Sequence, residues 1–178
     1  MVSISNPAQP TLVTSYNLTS VNSGNENNDA VAVDAVGNIL ALARVNSVGQ
    51  ELFIFNITNP LAPNLISKLH LNGNPQDLKL LNNRIFIASD DNNKELQVVS
   101  ISDPTLPSLT ATFNMNQGDN SEDALTVDGN LNRLYVGRED GDTAPELYIF
   151  DINNPDQPSL LVTFEMGDDA GVAHISLS

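Results

Sequence analysis

One turn sequence, Asn/Asp-Pro-x-x-Pro with an Ile two positions before it, occurs four times and limits what this chain can fold into more than any other feature. The copies begin at Asn6, Asn59, Asp103 and Asn154, preceded by Ile4, Ile57, Ile101 and Ile152. The intervals are 53, 44 and 51 residues. A period of that size marks supersecondary units stacked or set in a circle. Within the tetrad, the Asn or Asp side chain can bond the following backbone, and the first Pro presets φ for a turn. The second Pro (Pro10, Pro63, Pro107, Pro158) lacks an N–H, which is tolerated where an edge strand begins. Each tetrad should therefore lead into an outermost strand.

Between tetrads, short runs of Val, Ile, Leu and Phe bounded by Asn, Gly, Asp and Pro read as strands. Called a to d in order, they are 30–34, 39–43, 51–57 and 65–71 in the first repeat. They are 77–81, 84–88, 95–101 and 109–113 in the second, and 124–128, 133–137, 146–152 and 160–164 in the third. No stretch holds a 3.6-residue pattern, so essentially no helix is expected. Strand c opens with Glu51, Glu95 or Glu146, expected to accept hydrogen bonds from a neighbouring loop or blade. Strand b ends in Ala43, Ala88 or Gly137, as a tight crossing between sheets requires. Four-stranded meanders at this period predict an all-β chain of β-propeller blades: three complete antiparallel blades (24–71, 72–116, 117–166) with partial blades at 1–23 (c and d) and 167–178 (a), in one domain over 1–178.

The segments 51–60, 95–104 and 146–155 (Glu-Leu-Phe-Ile-Phe-Asn-Ile-Thr-Asn-Pro in the first) resemble LVIVD repeats. That resemblance implies a β-propeller of bacterial or archaeal origin, exported or at the cell surface. It implies no common activity and no shared catalytic motif. Phe and Gln replace aliphatic residues in the core string here, and there are fewer repeats than in a usual closed ring.

At the two ends, Thr11–Tyr16 reads as a strand d and His174–Ser178 as a strand a, with Ile175 level with Val31, Leu78 and Leu125. A strand b is missing from this set. Three arrangements fit: a segment of a longer propeller, a four-bladed ring closed by its own partial blade, or self-association with a second copy to complete a ring. Residues Met1–Pro7 have neither a basic nor an apolar signal region, so no signal peptide is read in this stretch; a larger parent could carry one. No apolar run reaches the length of a membrane span, so no membrane insertion is expected.

The formal net charge is −15, which disfavours nucleic acid and anionic membranes and favours cations or a basic partner. Alternating strands put the d–a and b–c connections on one edge of the blades, and most of the 22 acids lie there. The densest group is Asp119, Glu122 and Asp123 before the third strand a, with Glu139, Asp140 and Asp142 after strand b. These six are the candidate ligand-binding residues. Their oxygens and intervening glycines suit Ca²⁺, although no calcium-loop spacing is met. Arg44 and Arg138, at the ends of their strands b, are expected to pair with nearby acids.

Catalytic signals are few. With no Cys, disulfides, thiolate metal sites and Cys nucleophiles are excluded. His70 and His174 belong to different blades with no metal spacing, no Gly-x-Ser-x-Gly elbow or phosphate loop occurs, and no metal site or cofactor other than Ca²⁺ is expected. With no Trp and three Tyr, the aromatic cleft usual around a carboxylate pair is not evident. The reading is a non-catalytic repeat module, a scaffold or platform for an unknown protein or small ligand. The alternative is a cation-dependent binder or hydrolase using the acidic edge.

Overall fold

The structure is a computed structural model that describes residues 2–18, 30–45, 49–115, 123–139, 145–167 and 171–177. The described residues form strands and turns, with no α-helix. A two-stranded sheet pairs β1 (Val2–Ser3) with β2 (Thr11–Leu12). Three four-stranded antiparallel meanders follow. Blade 1 is β3 (Ala30–Val36), β4 (Ile39–Arg44), β5 (Leu52–Asn56) and β6 (Asn64–Leu69). Blade 2 is β7 (Pro75–Leu81), β8 (Arg84–Ser89), β9 (Leu96–Ser100) and β10 (Ser108–Phe113). Blade 3 is β11 (Ala124–Asn130), β12 (Arg133–Arg138), β13 (Leu147–Asp151) and β14 (Ser159–Phe164). The inner strands β3, β7 and β11 lie side by side, which gives the propeller-like stack.

The tetrads are built alike. Asn6, Asn59, Asp103 and Asn154 each accept the N–H two residues on at their side-chain Oδ1, at 3.2, 3.0, 2.9 and 3.3 Å. Each also accepts the N–H three residues on at its carbonyl. The Ile before the tetrad ties the c–d turn to the a–b turn, since the N–H of Ile57, Ile101 and Ile152 donates to the carbonyl of Asn38, Asn83 and Asn132. In blade 2 that a–b turn has positive φ at both Asn82 (51°) and Asn83 (57°), a type I′ hairpin whose twist suits the strands it joins.

Two apolar cores lie between sheets rather than within them. Ala41, Ala43, Leu52 and Ile54 on the trailing face of blade 1 meet Ile85, Ile87 and Val99 on the leading face of blade 2. Phe86, Ala88, Leu96 and Val98 of blade 2 meet Leu134, Val136, Tyr148 and Phe150 of blade 3. Alternation along each strand sends successive residues to opposite neighbours, so a central blade is apolar on both faces. Gly137 is required by close approach: a Cβ there would lie 2.5 Å from the Val172 carbonyl oxygen.

Hairpin register corrects the repeat alignment. Pairing aligns Pro75 with Ala30 and Ala124, because these face Ser89, Arg44 and Arg138. Leu78 is thus level with Val33 and Val127, not with Val31 and Leu125. The second strand a begins two residues earlier than the hydrophobic run suggested, at Pro75. A two-residue slip keeps the alternation intact, so hydropathy alone does not detect it. Segment 171–177 lies extended against blade 3 without a ladder partner among the described residues.

Candidate functional site

At the edge carrying the d–a and b–c connections, each blade repeats one latch. Glu51, Glu95 and Glu146 are all buried. Their Oε2 atoms accept the N–H of Leu71, Met115 and Met166, at 2.8, 3.1 and 2.6 Å. Each acceptor holds the backbone just after its own strand d, where the chain leaves for the next blade. Blade 1 adds His70, whose Nδ1 is 2.7 Å from the Gly49 carbonyl and 2.9 Å from Glu51 Oε2. An Nδ1–H shared between those two acceptors explains the histidine without a metal.

The buried position beside each latch differs among blades. In blade 3, Tyr148 donates its hydroxyl to the Met115 carbonyl at 2.7 Å, and Arg138 Nη1 reaches the same oxygen at 3.3 Å. In blade 2, Gln97 and Ser89 bond one another at 3.0 Å, and Gln97 also donates to the Asn72 carbonyl. In blade 1 the guanidinium of Arg44 lies 4.9 Å from the Phe53 ring centre, and its Nε donates to the Gln50 carbonyl at 3.2 Å. Arg44 makes no ion pair among the described residues, contrary to the expectation from sequence. Burial pushes its pKa down, opposed by the nearby Glu51 charge. The ring face stabilises the cation where a carboxylate had been expected.

Of the six candidate ligand-binding residues, Asp119, Glu122, Asp140 and Asp142 lie outside the described residues. Asp123 and Glu139 are brought together: the Glu139 N–H donates to the Asp123 carbonyl at 3.0 Å. Burial, then the charges of Glu139, Asp90 and Glu95, push the Asp123 carboxyl up to about 6, with Arg138 acting the other way. Asp90 of blade 2 joins this group and was not among the six candidates. It follows Ser89 as Glu139 follows Arg138, so repeat position would have found it. Its carboxylate accepts the Asn74 backbone N–H and, at 2.7 Å, the Asn74 side chain. Burial also raises the Glu95 carboxyl. Among the described residues no three His, Asp or Glu are grouped so as to hold a metal ion.

A second polar set lines the inner strands. Asp34 Oδ2 accepts the Leu80 N–H of the next blade at 2.9 Å, and Asp128 Oδ2 accepts the Leu177 N–H at 2.7 Å. Two residues earlier in the repeat, Asp77 Oδ2 accepts the Val127 N–H at 2.9 Å, and Thr126 Oγ1 accepts the Ile175 N–H at 3.2 Å. Lys79 takes the Asp34 position in blade 2. Its ammonium sits 2.9 Å from Asp128 and 3.9 Å from Asp34, and the hydrogen bond to Asp128 raises its pKa. For Asp128, burial acts upward, but Lys79 and the Leu177 and Gly129 N–H groups outweigh it and the carboxyl is lowered. On the opposite edge, Arg84 clamps Asp156 of the next blade through two bonds of 2.6 Å. The side chains that cross between blades thus do so as turn anchors and latches.

A cleft of about 520 Å³, lined mainly by apolar side chains, lies on the leading face of blade 1.

These features agree with the comparisons. The LVIVD repeat model matches residues 1–18 and 72–115, so the repeat read from the sequence is present in those segments. A search of curated proteins found no match. Among solved structures, the chain is similar to the computationally designed Ika4 protein, at a TM-score of 0.62 and 14% identity, over 86% of this chain and 82% of that one. It is also similar to the computationally designed Ika8 protein, at a TM-score of 0.59 and 16% identity, over 84% of this chain and 40% of that one. This chain thus spans less than half the length of Ika8. At such identities the likeness concerns the fold, which is that of propeller blades.

Proposed function

We propose that this chain is a non-catalytic repeat module of an exported or surface protein, presenting the acidic edge of its blades as an interaction platform. One observation carries the reading. The polar groups that recur at equivalent buried positions hold backbone N–H groups of the fold, as Glu51, Glu95 and Glu146 do. They do not converge on a shared concave pocket, which is what an enzyme site needs. The cleft on blade 1 offers mainly apolar walls, and the half-buried acids Asp90, Asp123 and Glu139 stand instead at the edge with the d–a and b–c connections. An acidic rim of this kind suits a basic protein segment.

A second reading, a cation-dependent binder or hydrolase, is favoured by the charges of Asp90 and Glu139, from two blades, acting on Asp123, although these three do not by themselves form a metal-holding group. A cation held there would offset the burial and the neighbouring charges that push the Asp123 carboxyl up. One experiment weighs both: titrate the chain with oligolysine and separately with calcium, beside an Asp123→Asn/Glu139→Gln variant and an opposite-edge control, Asp103→Asn. The platform reading expects oligolysine binding weakened only by the Asp123/Glu139 variant, with calcium leaving the melting temperature unchanged. Oligolysine binding that is absent, or lost equally in the control, sinks it. A calcium-induced rise that the Asp123/Glu139 variant abolishes transfers the case to the second reading.

A further inference from the structure

The leading face of blade 1 borders a cleft, where the same faces of blades 2 and 3 are packed against a preceding blade. In blade 3, Leu134, Val136 and Phe150 are fully buried by blade 2. The matching residues of blade 1 are Leu40, Leu42 and Phe55, and they line the open 520 Å³ cleft with Val31 and Val33. The outer part of this face is already covered in blade fashion. Tyr16 meets Phe55 edge-to-face with centroids 4.9 Å apart and planes at 76°, and Phe113 meets Phe150 at 4.8 Å and 77°. Tyr16 and Phe113 stand at the same distance after their tetrads. The described part of a preceding half-blade is therefore in register, and among the described residues none covers the inner part of this face, where the cleft lies.

The missing kind of element exists at the other end of the stack. Segment 171–177 is seated against blade 3 beside β11 and β12, through the Ile175 and Leu177 N–H groups and the Val172 N–H, which donates to the Arg138 carbonyl. That register puts His174 level with Asp77 and Thr126, and Ser176 level with Asp34 and Asp128. These are the positions whose side chains accept an N–H from the next blade. Both residues are exposed, with ring nitrogens and a hydroxyl able to accept. The N–H that such a latch takes after Asp77 belongs to Val127, and its counterpart in blade 1 is that of Val33. Val33 is 61% exposed, and its N–H meets no side-chain acceptor of the kind that Asp77 offers Val127 among the described residues. None of residues 171–177 lines the cleft.

We propose that the cleft on blade 1 receives segment 171–177 of a second copy of this chain, head to tail, with His174 accepting the Val33 N–H of β3. Such an interface is heterologous, and it closes when the second copy returns the same contact to the first. Two copies exchanging this contact bring six four-stranded sheets together, within the blade numbers propellers adopt. Burial of Val31, Val33, Leu40 and Leu42 supplies the apolar term, and continuity with the two existing blade interfaces sets the geometry. The proposal concerns the blade ends and stands independently of the ligand assigned to the acidic edge.

The chain has no cysteine, so a single engineered pair reports the contact cleanly. The Val33→Cys/His174→Cys variant, oxidised or treated with a short thiol-specific linker, should give a covalent dimer on a non-reducing gel. Light scattering of the unmodified chain should show twice the monomer mass, and Leu42→Glu should convert it to a monomer with unchanged strand content by circular dichroism. A disulfide-closed monomer would show that one copy closes its own ring and overturns the proposal. Thiols left free, a monomer at all concentrations, or a dimer indifferent to Leu42→Glu would each overturn it as well. Single-cysteine variants, checked by thermal unfolding, separate a failure to fold from a failure to associate.

Discussion

Phe150 and Phe55 occupy the same position in blades 3 and 1, meet the same kind of aromatic partner, and have different surroundings. Phe150 packs among Phe86, Leu96 and Val98 of the preceding blade. Phe55 has Tyr16 on one side and the open cleft on the other. The strand sequences are nearly interchangeable, so the difference comes from the neighbour rather than from the blade. A blade face of this type is complete only when another covers it, because a sheet that is apolar on both sides must bury both.

Truncation at these two positions is the strongest way to break the comparison. Phe150→Ala should destabilise by about 3–5 kcal/mol, the range for deleting a well-packed core aromatic. Phe55→Ala should cost roughly half of that, since its site already borders open space that can relax. Urea unfolding of both variants provides the check. Equal losses would mean that the face of blade 1 is as tightly packed as the internal one.

The latches sharpen the comparison at a smaller scale. Asp77→Ala leaves the Val127 N–H and the Thr126 hydroxyl without their acceptor between blades 2 and 3, and should cost about 1–3 kcal/mol. Asp128→Ala removes the acceptor of Leu177, so its main effect should be local. Hydrogen exchange should show residues 171–177 losing protection while blades 1 and 2 keep theirs. Uniform loss across all blades would show that the outer segment and the internal interface are one cooperative unit.

The smallest effect concerns pH and contrasts the acidic edge with the inner strands. The Asp123 carboxyl, at about 6, lies above its value in the unfolded chain, and that of Glu95 is also raised. Stability linked to such groups is fully present below the unfolded pKa and is lost as pH rises through the folded one. Lowering the pH from 7 to 5 should therefore stabilise the fold, by about 1 kcal/mol after allowing for solvent screening. Asp128 and Asp156 are shifted down, so their contribution is present above the ordinary aspartate pKa and is lost in stronger acid. A melting-temperature profile should rise from pH 7 to 5 and fall below about 4. Asp123→Asn should flatten the first limb alone. A profile that falls steadily from pH 7 contradicts the placement of Asp123.

Much of this fold was legible because its punctuation is local. An Asx bond and a Pro need only their immediate neighbours, so all four tetrads form as their sequence suggests. The register of the second strand a was not legible, because a shift of two residues preserves every inward and outward assignment. The fate of Arg44 was hidden for another reason. Its nearest carboxylate downstream in sequence is Glu51, and its neighbour in space is the Phe53 ring across the sheet. Asp90 likewise joined Asp123 only when two blades were set side by side.

The sequence by itself determined the repeat, the four-stranded meander, the turn chemistry and the two-faced apolar pattern, since each depends on spacings within one blade. Tertiary structure alone decided which carboxylate holds which N–H and where Lys79 finds its partners. It also decided that one face of blade 1 is left with a cleft while its equivalents are closed. Those outcomes depend on residues some fifty positions apart meeting across a blade boundary, and a linear chain does not encode that distance except through the packing it produces.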